Sequence, residues 1–167
     1  GTRGRGRRLR RGGFVTTARE GSSRSLFDDV FDDAKSHTIF SHHASLSNLY
    51  VYFWRWATWK VFDAHAATSD GVVCFITTSG YLKGPGFAGM RRYMREHASE
   101  GWIIDCTPEG HQPDVATRIF GGVQQPVAIG MFVRKADTDN QAPATIHYRA
   151  VHGRQAEKFD QLKQIDL

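Results

Sequence analysis

The sequence predicts an α/β fold. Three observations lead there. Residues 72–77 (Val-Val-Cys-Phe-Ile-Thr) form an unbroken apolar run with a β-branched bias, as a buried strand does. Residues 102–106 and 127–133 repeat that pattern. Residues 49–62 and 87–98 lie before and between these runs and carry helical periodicity. The order helix, strand, helix, strand, long loop, strand is that of an α/β domain.

Each element has a local reason. Residues 1–25 hold eight Arg and one Glu, a charge of +7, while the remaining 142 residues sum to −2. The basic character of the chain therefore resides in this Arg/Gly-rich stretch. It has little apolar surface to bury and is expected to be a disordered leader, able to meet phosphates electrostatically. Residues 26–167 are read as the folded body. Residues 27–33 suggest a short acidic amphipathic turn, and residues 35–48 a loop rich in Ser and His. Ser47 or Asn48 is suited to cap a helix running to Phe62. Its aromatic residues fall on every face, which predicts burial on several sides. The run at 72–77 is read as a strand buried on both faces, which favours a parallel sheet with helices outside. Residues 78–86 form a Gly-containing loop. The helix 87–98 aligns Phe87, Met90, Met94 and His97, and strand 102–106 follows. Residues 107–120 are a polar loop with Pro108 and Pro113. Pro126 stands at the first position of strand 127–133, where proline is tolerated. A fourth strand at 144–151 and a closing helix at 155–165 complete the body.

Several classes are excluded. No stretch approaches ~18 uninterrupted apolar residues, so no transmembrane helix is expected. The N-terminus carries Arg without an apolar core, so it is not a secretory signal. Cys74 and Cys106 are the only cysteines, too few for a disulfide framework, which favours a reducing, cytoplasmic setting. His37, His42 and His43 have no second ligand pair at metal spacing, and no zinc site is expected.

Gly84-Pro-Gly86-Phe-Ala-Gly89 matches the G-x-G-x-x-G pattern of dinucleotide-binding loops, with Asp105 about 20 residues on. Residues 78–83 intervene between strand and glycines, however, and Pro85 removes a backbone donor. An oxidoreductase binding NAD through Gly84, Gly86 and Gly89 is thus an alternative, as is a non-enzymatic nucleic-acid-binding fragment using the Arg tract. No G-x-S-x-G elbow, phosphate-binding P-loop or H-E-x-x-H motif is present.

Five blocks follow one another in order: Tyr50-Val-Tyr-Phe-Trp-Arg-Trp56, residues 71–82, Gly84-Pro-Gly-Phe-Ala-Gly-Met-Arg91, Trp102-Ile-Ile-Asp105, and residues 118–130. Together they resemble the C-terminal half of the catalytic domain of N6-adenine DNA methyltransferases, in particular those within large restriction–modification polypeptides. The resemblance covers residues 13–160. It implies part of a Rossmann-like fold that uses S-adenosylmethionine, with strands five to seven and their flanking helices. Residues 72–77 would be the fifth strand, 102–105 the sixth, and 127–133 the seventh, antiparallel one. The partner would be DNA, with the target adenine flipped out of the duplex for methylation.

Two motifs of that family are missing: the F-x-G-x-G cofactor loop and the catalytic N-P-P-Y or D-P-P-Y. The resemblance therefore implies a fragment, inactive alone, with no catalytic, cofactor-binding or metal-binding residues of its own. S-adenosylmethionine belongs to the intact enzyme, and the missing N-terminal half is a second expected partner. Phe120, followed by Gly121-Gly122, matches the family's aromatic residue that stacks on the flipped adenine; packing into the core beneath the loop is the alternative. Tyr81 is a further candidate, for the opposite wall of the target-base pocket.

Overall fold

The structure is a computed structural model that describes residues 9–11, 14–16, 46–64, 70–110, 117–136 and 142–166. The readings at residues 27–33 and at His37, His42 and His43 lie outside the described residues. So do residues 111–116 of the polar loop.

Within the leader, β1 (Leu9–Arg11) and β2 (Phe14–Thr16) pair antiparallel, with Arg11 opposite Phe14. This corrects the expectation of disorder for those six residues.

Helix α1 (Leu49–Thr58) continues into a single π-helical turn, Trp59–Asp63. Strand β3 (Gly71–Thr78) follows, then the one-turn helix α2 (Gly80–Lys83), a 3-10 turn (Pro85–Phe87) and helix α3 (Ala88–His97). Strands β4 (Glu100–Asp105), β5 (Val127–Arg134) and β6 (Thr145–Ala150) lead to the closing helix α4 (Gln155–Lys163).

The four-stranded sheet has the order β3-β5-β4-β6. Strand β5 is antiparallel to both β3 and β4, while β6 runs parallel to β4. The expected parallel sheet is thus corrected to a mixed one, because β5 returns between two strands that run the other way. The expectation of double burial for 72–77 is corrected as well. Val73 is buried, but Val72 and Ile76 are 56% and 54% exposed, and Cys74 is exposed too. One edge of β3 pairs with β5, and no described element covers its outer face.

The main core lies between α1, α2, α3 and one face of the sheet. Its centre is Trp54, whose ring packs against Phe75 at 5.1 Å, Phe132 at 5.7 Å and Tyr81 at 5.8 Å. The sheet beneath needs a glycine. A Cβ at Gly130 would stand 2.6 Å from the Tyr81 hydroxyl and 3.1 Å from the Trp54 ring. The aromatic helix is not covered all round, however. Leu49, Phe53 and Trp56 form an exposed stripe at helical spacing, opposite the buried Val51, Trp54, Arg55 and Thr58. A smaller core on the other face joins Cys106, Ile119, Val127 and Val151 to Leu162 and Ile165.

Long charged side chains pin these layers together. Arg134, buried at the end of β5, donates to the carbonyls of Phe62 and Val61 and so satisfies the end of the π turn. Arg55 donates to Asp63 at 3.0 Å and to the Tyr93 hydroxyl at 2.8 Å, and Tyr93 in turn donates to Asp63. Lys158 of α4, fully buried, donates to the Cys106 carbonyl at 2.8 Å and to Glu109.

Among the described residues β3 has one unpaired edge and an uncovered apolar face, and such a strand is a template for association. The chain alone is therefore expected to sediment as oligomers. The double substitution Val72→Lys/Ile76→Lys should shift it toward monomer without lowering its melting temperature. A parent chain that stays monomeric at every concentration in sedimentation velocity would contradict this.

Candidate functional site

Ligands of open α/β sheets bind beyond the carboxyl ends of the strands. Here β3, β4 and β6 end together: Thr78 lies opposite Val127, Asp105 opposite Ala128, and Ala150 beside Asp105. Backbone bonds hold this end closed. Ser79 N–H donates to the Pro126 carbonyl at 2.8 Å, Cys106 N–H to that of Val127 at 3.1 Å, and Val151 N–H to that of Asp105 at 3.0 Å. The Thr107 hydroxyl bridges Val127, accepting from its N–H and donating to its carbonyl.

Phe120 sits at this end, in the loop that enters β5. Its neighbour Ile119 is buried in the smaller core, and the Ile119 carbonyl accepts a 2.8 Å bond from Gln155. The next residues turn sharply: Val123 N–H donates to the Phe120 carbonyl, and Gly122 adopts φ +78°, a conformation for which glycine is favoured. Anchored on one side and turned on the other, the Phe120 ring is left 41% exposed. A Cβ at Gly121 or Gly122 would meet nothing within 4 Å, so the space beside the ring is open. In the chain as described, Phe120 is not a core residue.

Tyr81 lies elsewhere. It is 1% exposed, on α2, packed over Trp54 and Gly130. Burial pushes its phenol pKa well upward, and the Tyr50, Asp105 and cysteine charges add to this. No ring contact or hydrogen bond joins it to Phe120.

Asp105, at the end of β4, is buried and accepts from Thr107 N–H at 3.1 Å and from the Tyr148 hydroxyl at 2.9 Å. Partial burial, then this bond and the carboxylate charge, raise the Tyr148 pKa. For Glu109, burial favours the neutral acid, but the Lys158 ammonium and further hydrogen bonds outweigh it, and its pKa falls below the usual carboxylate value. Neither pair was legible in the sequence, since 43 and 49 residues separate the partners.

The glycines of the G-x-G-x-x-G match serve the fold. A full turn, α2, separates Gly84 from β3, and Gly86 and Gly89 are buried in packing. Arg91 donates at 2.8 Å to the carbonyls of both Tyr81 and Gly84, locking the segment with its acceptors, not its donors, engaged by a cation. Among the described residues, no group of three His, Cys, Asp or Glu is placed to hold a metal ion, and no helix is long and apolar enough to cross a membrane.

No protein-family model matches the chain, and no curated protein sequence is similar to it. Its fold is similar to parts of several solved structures. A DrdV–DNA complex aligns with a TM-score of 0.63 and 23% identity over 85% of this chain. The ATP-dependent Type ISP restriction-modification enzyme LlaBIII, bound to DNA, aligns with a TM-score of 0.62 and 18% identity over 83%. A nuclease-deletion mutant of the Type ISP enzyme LlaGI, with a DNA substrate mimic, gives 0.65 and 22% over 84%. The chain spans only 13%, 9% and 14% of those proteins, so it corresponds to one segment of much larger polypeptides.

Proposed function

We propose that this chain is the C-terminal portion of the catalytic domain of an adenine-specific DNA methyltransferase of the restriction–modification type. In the intact domain a methyl group passes from S-adenosylmethionine to N6 of an adenine flipped out of duplex DNA. The observation that carries the reading is the position of β5. The resemblance asks for residues 127–133 to be antiparallel to the strands at 72–77 and 102–105, and β5 is antiparallel to both. The fold shared with segments of DNA-bound restriction-modification enzymes supports it.

The residues present do not fit the methyl donor. The sequence has no F-x-G-x-G loop, and the glycines it does place after β3 are taken up by packing. The cofactor and the N-P-P-Y chemistry are therefore assigned to the missing half. This chain supplies a rigid strand-end platform and an outward-facing aromatic ring on it.

Phe120 is the residue that would meet the base. Stacking of a base on an aromatic ring contributes ~1–3 kcal/mol. In an enzyme rebuilt around this segment, Phe120→Ala should weaken binding of a flipped or mismatched target adenine by about tenfold or more. Its melting temperature should hardly change, because the ring is already half in solvent. A large loss of stability with unchanged base affinity would instead make Phe120 a packing residue.

A further inference from the structure

Helix α4 holds both ends of the loop that carries Phe120. Lys158 holds the start. It is fully buried, and its ammonium donates to the Cys106 carbonyl at 2.8 Å and to Glu109. Glu109 also accepts from the Thr117 hydroxyl, so this carboxylate ties the two arms of the loop to each other. Gln155 holds the end. Its side-chain amide donates to the Ile119 carbonyl at 2.8 Å, one residue before the ring. Gln155 and Lys158 stand three residues apart on α4, and residues at that spacing share one face of a helix. Ile119 itself belongs to the small core against which Leu162 of α4 and Ile165 pack.

Beyond Ile119 the loop has little of its own to fix it. Residues 120–125 are all exposed, and Gly121 and Gly122 leave the backbone permissive. Val123 N–H donates to the Phe120 carbonyl at 3.2 Å, and the next anchored carbonyl is that of Pro126, which accepts from Ser79. The direction of the Phe120 ring is therefore set at Ile119. Burial of the Ile119 side chain fixes where that residue sits. It leaves the peptide unit leading into Phe120 free to turn. The Ile119 carbonyl is part of that unit, which is planar, so the bond from Gln155 sets its orientation.

We propose that Gln155 is a positioning residue for Phe120. Its amide, carried on a helix that Lys158 fastens to the other end of the same loop, holds the peptide plane from which the ring projects. That the ring then meets a target base rests on the stacking role proposed above; that Gln155 sets its place does not. A stacking surface has to be held to within about 0.5 Å to be productive, which an exposed glycine-flanked loop does not achieve unaided.

Two substitutions at this exposed position separate positioning from helix stability, because the two roles rank them in opposite order. Gln155→Glu keeps the shape but has no donor at neutral pH, while an acid in the first turn favours the helix. Gln155→Lys keeps a donor with the reach to the carbonyl, while a cation there disfavours the helix. The test uses the full chain carrying Val72→Lys/Ile76→Lys, to keep it dispersed, labelled with 4-fluorophenylalanine for fluorine NMR. The Phe120 signal is the one lost in Phe120→Leu. Gln155→Glu should narrow that signal and move it toward its shift in the unfolded chain, with the other phenylalanine signals in place. Gln155→Lys should leave it at the parent position. In an enzyme rebuilt around this segment, Gln155→Glu should weaken binding of the target adenine by about fivefold, the low end of a lost stacking contact, and add nothing in a Phe120→Ala background. The proposal is overturned if Gln155→Glu leaves the Phe120 signal unmoved, or if Gln155→Lys moves it further than Gln155→Glu does. It is overturned equally if Gln155→Glu weakens base binding as much without the Phe120 ring as with it. If Gln155→Glu moves the signal while Phe120→Ala leaves base binding unchanged, the positioning role stands and the stacking role fails.

Discussion

Trp54→Ala should destabilise the domain by about 3–5 kcal/mol, the range for removing a large aromatic side chain from a packed core. At ~2–4 °C per kcal/mol for a chain of this size, the melting temperature falls by roughly 6–20 °C. The magnitude follows from what the ring holds. Trp54 touches Phe75 on β3, Phe132 on β5 and Tyr81 on α2, and its indole N–H donates to the Thr77 hydroxyl at 3.2 Å. It is 1% exposed. Its removal leaves a void over Gly130 that no neighbour on a strand can collapse to fill. Trp56→Ala, two residues on and more than half exposed, should change stability by less than ~0.5 kcal/mol, as surface substitutions usually do. Calorimetry of the two variants separates a core helix from one whose aromatics all serve a surface. Equal effects would contradict the assignment.

Arg55→Met should have a loss of similar size, about 3–5 kcal/mol, through electrostatics and not through volume. Arg55 is 4% exposed, its guanidinium lies 4.2 Å from the centre of the Tyr93 ring, and it pairs with Asp63 at 3.0 Å. Met fills much of the same space but leaves Asp63 as a nearly buried carboxylate whose remaining partner among the described residues is the Tyr93 hydroxyl. Burial raises the Tyr93 pKa, and among the charges Arg55 is the one that holds it down. The double variant Arg55→Met/Asp63→Leu removes the orphaned charge and should recover part of the loss. If the double variant is less stable than the single one, the penalty does not come from an unpaired carboxylate.

The elements that follow local pattern were legible in the sequence. The strand expected at 127–133 is Val127–Arg134, and the helix expected at 87–98 is Ala88–His97, because apolar runs and their punctuation are properties of neighbouring residues. Strand order was not legible. An apolar run such as 72–77 looks the same whether helices cover it on both faces or leave it open on one, so Val72 and Ile76 could not be known to be exposed. The buried cations were also hidden. Arg55, Arg134 and Lys158 read as ordinary surface charges, because their acceptors stand 8, 72 and 52 residues away and only the fold brings them close. At the candidate site, the Phe-Gly-Gly of residues 120–122 was readable as an aromatic ring beside open space. The burial of Tyr81 was not, since it depends on a glycine 49 residues later, on β5.

The central claim is that this chain is one portion of an adenine-methylating domain, and the most direct measurement is methyl incorporation into duplex DNA. The chain is combined with a polypeptide that carries the F-x-G-x-G loop and the N-P-P-Y motif of such a domain. Labelled S-adenosylmethionine is then supplied, and the nucleosides are analysed. The account predicts N6-methyladenine when both polypeptides are present, none with the chain alone, and a reduced yield with Phe120→Ala. Methylation by the chain alone would contradict it. So would a stable complex of the two polypeptides that binds the cofactor and DNA yet transfers no methyl group to adenine.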